Sequence, residues 1–146
     1  MVDVTTRIMI DRPRDLVAAF AADPSNAPRW YMNIKSVGWK TTPPVQIGSE
    51  VAFVAHFLGR RIAYTYKIVD IVPSRNLVMS TAEGPFPMET SYTWESLSVD
   101  RTEMTLRKRG NASGFSSILS LVMVPAMRSA NRKDVARLKR LLEANG

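Results

Sequence analysis

The sequence predicts an α+β domain in which a strongly curved antiparallel sheet of seven strands wraps around one long C-terminal helix. Three observations predict it. Apolar residues recur at period two through the middle of the chain, short turn signals separate those runs, and the last third is apolar at helical spacing.

The elements follow in order. Val2 to Ile10 is rich in β-branched residues and reads as a first strand that stops at Asp11-Arg12-Pro13. Pro13 suits a first helical turn, and Leu16, Val17 and Phe20 then recur at helical spacing through Ala22. Asp23-Pro24 reads as a second cap and start, leading to Trp30, so two short helices follow strand one. Strand-like runs near 34–41, 48–58, 61–72, 76–81, 88–98 and 102–109 come next. Pro43-Pro44, Leu58-Gly59-Arg60-Arg61, Pro73-Ser74-Arg75-Asn76, Gly84-Pro85-Phe86-Pro87 and Val99-Asp100-Arg101 separate them, as a meander of hairpins requires.

After Gly110-Asn111-Ala112-Ser113-Gly114 the chain reads as helical. Phe115 to Met127 is apolar nearly all round. Further on, Met127, Ala130, Val135, Leu138, Leu141 and Leu142 share one stripe, and Arg128, Arg132, Lys133, Arg137, Lys139 and Arg140 lie opposite. Pro125 removes a backbone donor, so a kink or break is expected there. With no repeat or linker, residues 1–146 read as one domain.

Alternation assigns an inward face to the strands: Val37, Trp39, Val51, Phe53, Phe57, Tyr64, Tyr66, Ile68, Met88, Tyr92, Trp94, Met104 and Leu106. Lys67, Thr93, Glu95, Thr105, Arg107 and Arg109 fall on the wet face. Seven twisted strands curl into a half-barrel, and a single helix roughly 10–12 Å across is available to plug it. A hollow of a few hundred cubic ångströms is expected, on the order of the ~300–1,000 Å³ of ligand sites. Met79, Met88, Met104, Met123 and Met127 supply a soft lining. The competing reading is that these aromatics and methionines are simply core.

Composition narrows the chemistry. The chain has 146 residues, 45% of them hydrophobic, and a formal charge of +7. It has no cysteine and a single histidine, His56. Thiolate sites, disulfides and multi-histidine metal clusters are thereby excluded, and a Ser-His-Asp triad would have to use His56. Period two turns His56 outward, away from any inner site. No metal and no cofactor are expected. No window spans a bilayer and no signal pattern opens the chain, so the expected compartment is the cytoplasm.

Tyr64, Tyr66 and Tyr92 carry hydroxyls that need partners once buried, and at least one is expected to face a ligand. Glu83 and Glu89 flank a proline-stiffened loop suited to a pocket rim, without a paired acid to give them a chemical role. Asn131 and Asp134 fall within the apolar stripe of the last helix, at a pocket floor or beside a sheet edge, with structural pairing ranked first. The basic helix face reads first as a solvated face, with weak docking on an anionic membrane as the alternative. The aromatics belong to the other side, which argues against nucleic acid. The apolar stretch Phe115–Val124 needs cover, as a portal lid or, the preferred reading, a homodimer contact.

The residues also resemble a known family. DPSNAPRWYMNI (Asp23–Ile34), FLGRRIAYTY (Phe57–Tyr66) continuing through Val72-Pro73-Ser74-Arg75-Asn76 to Leu77, and GPFPMETSYTWE (Gly84–Glu95) carry the likeness. Ala130-Asn131-Arg132-Lys133-Asp134 and Leu138-Lys139 add to it. The chain resembles the START/Bet v 1-like (SRPBCC) superfamily, within it the polyketide cyclase/dehydrase and lipid-transport group. The resemblance implies a helix-grip fold with a hydrophobic cavity. It implies no particular reaction, since the fold serves carriers, sensors and cyclases.

Two function classes follow. The preferred one is binding or transport of a hydrophobic small molecule, a lipid, polyketide or aromatic metabolite, by Trp39, Phe53, Phe57, Tyr64, Tyr66, Met79, Met88, Tyr92, Trp94, Met104, Leu106, Met123 and Met127. The alternative is a polyketide cyclase/aromatase-like enzyme that uses cavity tyrosines as proton donors. An ionisable group with a displaced pKa inside the cavity would separate the enzyme from the carrier. A partner-binding domain with a filled pocket is a weaker third reading.

Overall fold

A computed structural model describes residues 2–85, 87–110 and 117–144, and in the last helix describes side chains from residue 121 onward. Seven strands form one sheet: β1 (Val2–Ile10), β2 (Ile34–Trp39), β3 (Glu50–Phe57), β4 (Arg60–Val72), β5 (Asn76–Glu83), β6 (Met88–Ser98) and β7 (Arg101–Gly110). Their order is β1-β7-β6-β5-β4-β3-β2, with every neighbouring pair antiparallel. Successive strands from β2 to β7 pair by hairpins, as the turn signals predict. At the β3–β4 hairpin, Leu58 and Gly59 both take positive φ, 51° and 74°, the conformation of a two-residue turn matched to sheet twist.

The two edges, β1 and β2, are consecutive in sequence. Between them lie α1 (Arg14–Ala22), a 3-10 turn at Pro24–Asn26 and α2 (Ala27–Trp30). Asp23 starts the second helical piece as predicted, its carboxylate accepting the Ser25 N–H at 3.0 Å with Pro24 next in line. Register shifts in β2–β3, β4–β5 and β6–β7 each place an extra residue in one strand, and such bulges sharpen the bend. The sheet is a curled half-barrel with α3 (Ser117–Ala144) against its concave side, a helix-grip fold.

Alternation produces the core. Val51, Phe53, Tyr66, Ile68, Tyr92, Trp94, Met104 and Leu106 are buried, while Lys67, Thr93, Glu95 and Arg107 are exposed. On α3, Met127, Val135, Leu138 and Leu142 are buried and Arg128, Arg132, Lys133, Arg137 and Arg140 are exposed. Lys139 departs from the expected basic face, since its amine donates to the Met9 carbonyl at 2.8 Å and to Glu143 at 2.6 Å. Glu143 in turn accepts the Asp11 N–H at 2.8 Å. These bonds fasten the C-terminal part of α3 to the end of β1.

The expected break at Pro125 does not occur: α3 runs through it as one helix. Pro125 and Leu121 are both exposed, so the carbonyl that the proline cannot bond lies on the side open to water. Of the apolar stretch Phe115–Val124, residues 115–116 and the side chains of 117–120 lie outside the described residues, as do residues 111–114 and Phe86. Within the described part, Leu121 is 76% exposed and Met123 is buried. Among the described residues, no helix is long and apolar enough to cross a membrane, and no three acidic, histidine or cysteine side chains gather to hold a metal ion.

Candidate functional site

Between α3 and the concave sheet lies a chamber of about 120 Å³. Phe57, Ile62, Tyr64 and Tyr66 from β3 and β4, Met88 from β6, and Met123 and Met127 from α3 form much of its wall. Beside it is a smaller lobe of about 40 Å³ edged by Phe53, Leu77, Met79 and Tyr92. Tyr31, Ile34, Tyr64, Tyr66 and Lys108 line both spaces.

The chamber is smaller than the few hundred cubic ångströms expected from the sheet's curvature. The physical reason is the end of α2. Trp30 is wholly buried, Tyr31 is 5% exposed, and their rings stand 4.1 Å apart between centroids, taking up concave space that the strand pattern alone leaves free.

Of the thirteen residues assigned to ligand binding, Phe57, Tyr64, Tyr66, Met88, Met123 and Met127 line the main chamber, and Phe53, Met79 and Tyr92 the side lobe. Met104 and Leu106 are fully buried in the core and line neither space. Trp39 and Trp94 line a separate groove of about 700 Å³ between α1, the β2–β3 connection and the β4–β5 turn. There the Trp39 indole donates to Ser25 Oγ at 2.9 Å. Both tryptophans have the inward parity predicted, but they sit where α1, not α3, covers the sheet. Parity gives the face and not the neighbour.

Polar groups concentrate at one side of the chamber. The Tyr31 and Tyr92 hydroxyls share a hydrogen bond of 2.5 Å, and the Tyr66 hydroxyl bonds Thr90 Oγ1 at 2.8 Å. Burial raises the pKa of all three phenols, that of Tyr66 to about 12, so they are neutral donors and acceptors at ordinary pH. Tyr64 is raised as well, by burial first and then by the neighbouring Tyr66.

Lys108 faces the same space because Thr102, Met104, Leu106 and Lys108 share one side of β7. Its amine lies 4.9 Å from the Tyr31 ring centroid, a cation–π contact, and loss of hydration pulls its pKa down. Asp134 is 1% exposed and accepts the Met32 N–H at 3.0 Å. Burial raises its pKa, against the opposing pull of that hydrogen bond and of the Lys108 charge. Asn131, one turn earlier on α3, is likewise 1% exposed, and its amide nitrogen has no hydrogen-bond partner among the described residues.

The sequence reading placed Asn131 and Asp134 at a pocket floor or sheet edge, and both line the chamber. Structural pairing, ranked first, holds for Asp134 through Met32 but not for the Asn131 amide nitrogen. Tyr31 and Lys108 were missed. Lys108 was legible as two residues beyond Leu106 on the same strand face. His56 is exposed on β3, as its parity predicts. Pro85 from the β5–β6 loop reaches the chamber, whereas Glu83 pairs with Lys40 and Glu89 with Arg109.

A curled sheet gripping a C-terminal helix, with a partly open chamber between them, defines a helix-grip protein of the START/Bet v 1 superfamily. The chain belongs to the polyketide cyclase/dehydrase and lipid transport family, whose pattern it matches over residues 1–143. No curated protein sequence matches it. A Thermus thermophilus protein has the same fold with a TM-score of 0.83 at 15% identity, covering 99% of each chain. The Zhui aromatase/cyclase of a Streptomyces species gives 0.79 at 17% identity, over 97% of this chain and 93% of that one. A START superfamily protein of Mycobacterium smegmatis gives 0.71 at 12%, over 98% and 95%.

Proposed function

We propose that the protein binds a compact hydrophobic small molecule in the chamber beneath α3. The observation that carries this reading is the partly open space of about 120 Å³ walled by Phe57, Ile62, Met88, Met123 and Met127. An engineered apolar cavity of roughly 150 Å³ holds benzene, so the space suits a body of about one ring. The family, described by both cyclase and lipid-transport activity, supports a ligand of this kind.

Filling the space tests the reading. Ala130 lines the chamber from α3, and Ala130→Phe should abolish binding of toluene, followed by methyl NMR shifts of the chamber methionines, while the far-UV spectrum is unchanged. Undiminished toluene binding in a folded Ala130→Phe variant would sink the proposal.

A second reading, a cyclase/aromatase-like enzyme, is favoured by one observation: Lys108 and Asp134 are ionisable groups with displaced pKa values facing the chamber. In that reading the neutral tyrosine hydroxyls serve as proton donors to an enolate oxygen. Cyclised product from a poly-β-keto thioester, formed faster with the protein than without it, would favour the enzyme. An unchanged product rate would favour the carrier.

A further inference from the structure

The chamber wall is largely apolar, and its ionisable or amide side chains include Lys108, Asn131 and Asp134. Two of these groups hold hydrogen-bond donors for which no acceptor is found among the described residues. The Asn131 amide nitrogen is buried on the chamber wall without a partner among the described residues. The Lys108 amine makes no ion pair with any carboxylate among the described residues, and its recorded contact is with the face of Tyr31. A buried donor left unsatisfied costs about 1–3 kcal/mol, so a ligand acceptor placed at the Asn131 amide would relieve it, while the half-buried Lys108 amine offers a positive charge facing the same chamber.

We infer that the chamber takes an aromatic or cyclic monocarboxylate of about one ring, its carboxylate seated at Lys108 and Asn131 and its ring among Phe57, Ile62 and the methionines. The inference rests on the chamber being a ligand site and names the class of ligand. Lys108 stands where the 120 Å³ chamber and the 40 Å³ lobe meet, which gives the carboxylate a position beside the ring space rather than within it. Asp134 is the charged group that opposes an anion here. One of its oxygens is committed to the Met32 N–H, which leaves less of the carboxylate free to face the anion. The groups nearest the junction are otherwise neutral phenols, Tyr31, Tyr64 and Tyr66.

Benzoate and nitrobenzene have nearly the same shape and differ by one charge, so the pair isolates the carboxylate. Titrations of the wild-type protein near pH 7 should show benzoate binding at least tenfold more tightly than nitrobenzene. Lys108→Met should erase that preference while nitrobenzene still binds, and Asn131→Leu should reduce it. Equal affinities in the wild type, or a preference for nitrobenzene, would overturn the carboxylate assignment and leave the hydrophobic-ligand reading standing. Binding of neither ring would remove both. The wild-type comparison decides the matter even if a variant fails to fold.

Discussion

A lysine amine turned toward methionine, isoleucine and phenylalanine side chains loses hydration that a ring contact restores only in part. Its folded pKa is depressed, so the contribution of Lys108 to stability is present above the unfolded value near 10.5 and is lost as pH falls through the folded value. Near pH 7 the charged amine is therefore a destabilising feature. Lys108→Met should raise unfolding free energy by about 1 kcal/mol at pH 7, with the gap closing as pH rises toward 10.5. Urea titrations across that range check both the sign and the trend. The hydroxyl pair works the other way. Tyr31→Phe and Tyr92→Phe should each cost about 1–3 kcal/mol by stranding the partner hydroxyl, and the double variant should cost clearly less than the two together. Strictly additive losses in a four-protein cycle would show that each hydroxyl finds another partner. Both tyrosine positions teach something about legibility. Tyr92 was assigned to the site from strand parity, but Tyr31 caps a four-residue helix that has no period of its own to read. Lys108 carries a charge that an apolar pattern does not pick out, although parity with Leu106 points inward.

Strands were the most readable elements. Period two and the turn residues between the runs sufficed for β1, β4 and β6, whose ends match to within a residue. The bulges were not readable, because an extra residue leaves the hydrophobic pattern nearly intact while shifting the partner. Helix α3 shows a second limit. Pro125 signals a discontinuity, yet a helix docked along its C-terminal half keeps its course when the unbonded carbonyl faces water. Replacing this exposed proline should therefore stabilise α3. Pro125→Ala is expected to add about 2–3 kcal/mol, read as a raised thermal midpoint with unchanged helix content. A lower midpoint would mean that Pro125 fits a local bend the alanine variant has lost.

At the level of the whole molecule, the sheet edges are consecutive in sequence, and of the helical segment joining them α1 covers one part of the sheet while the end of α2 reaches the space under α3. Fold and superfamily were legible from patterns that span the chain. The size of the hollow was not, since it is a small difference between the volume the sheet encloses and the volume its side chains fill. A ligand that occupies this space only in the folded chain must stabilise the whole. Benzoate at a hundred times its dissociation constant should add about 2.7 kcal/mol to the unfolding free energy of the wild type. A midpoint that does not move with benzoate concentration would contradict that linkage.

The alternation along β7 has one more consequence. Arg107 and Arg109 point away from the core, Arg107 gripping Asp3 through both carboxylate oxygens at 3.0 and 2.7 Å and Arg109 pairing with Glu89. Were β7 to slide by one residue during folding, both guanidinium groups would be thrust into grease and Met104 and Leu106 into water. These arginines thus act as proofreaders of strand alignment: only the correct pairing lets the growing sheet keep both guanidinium groups wet.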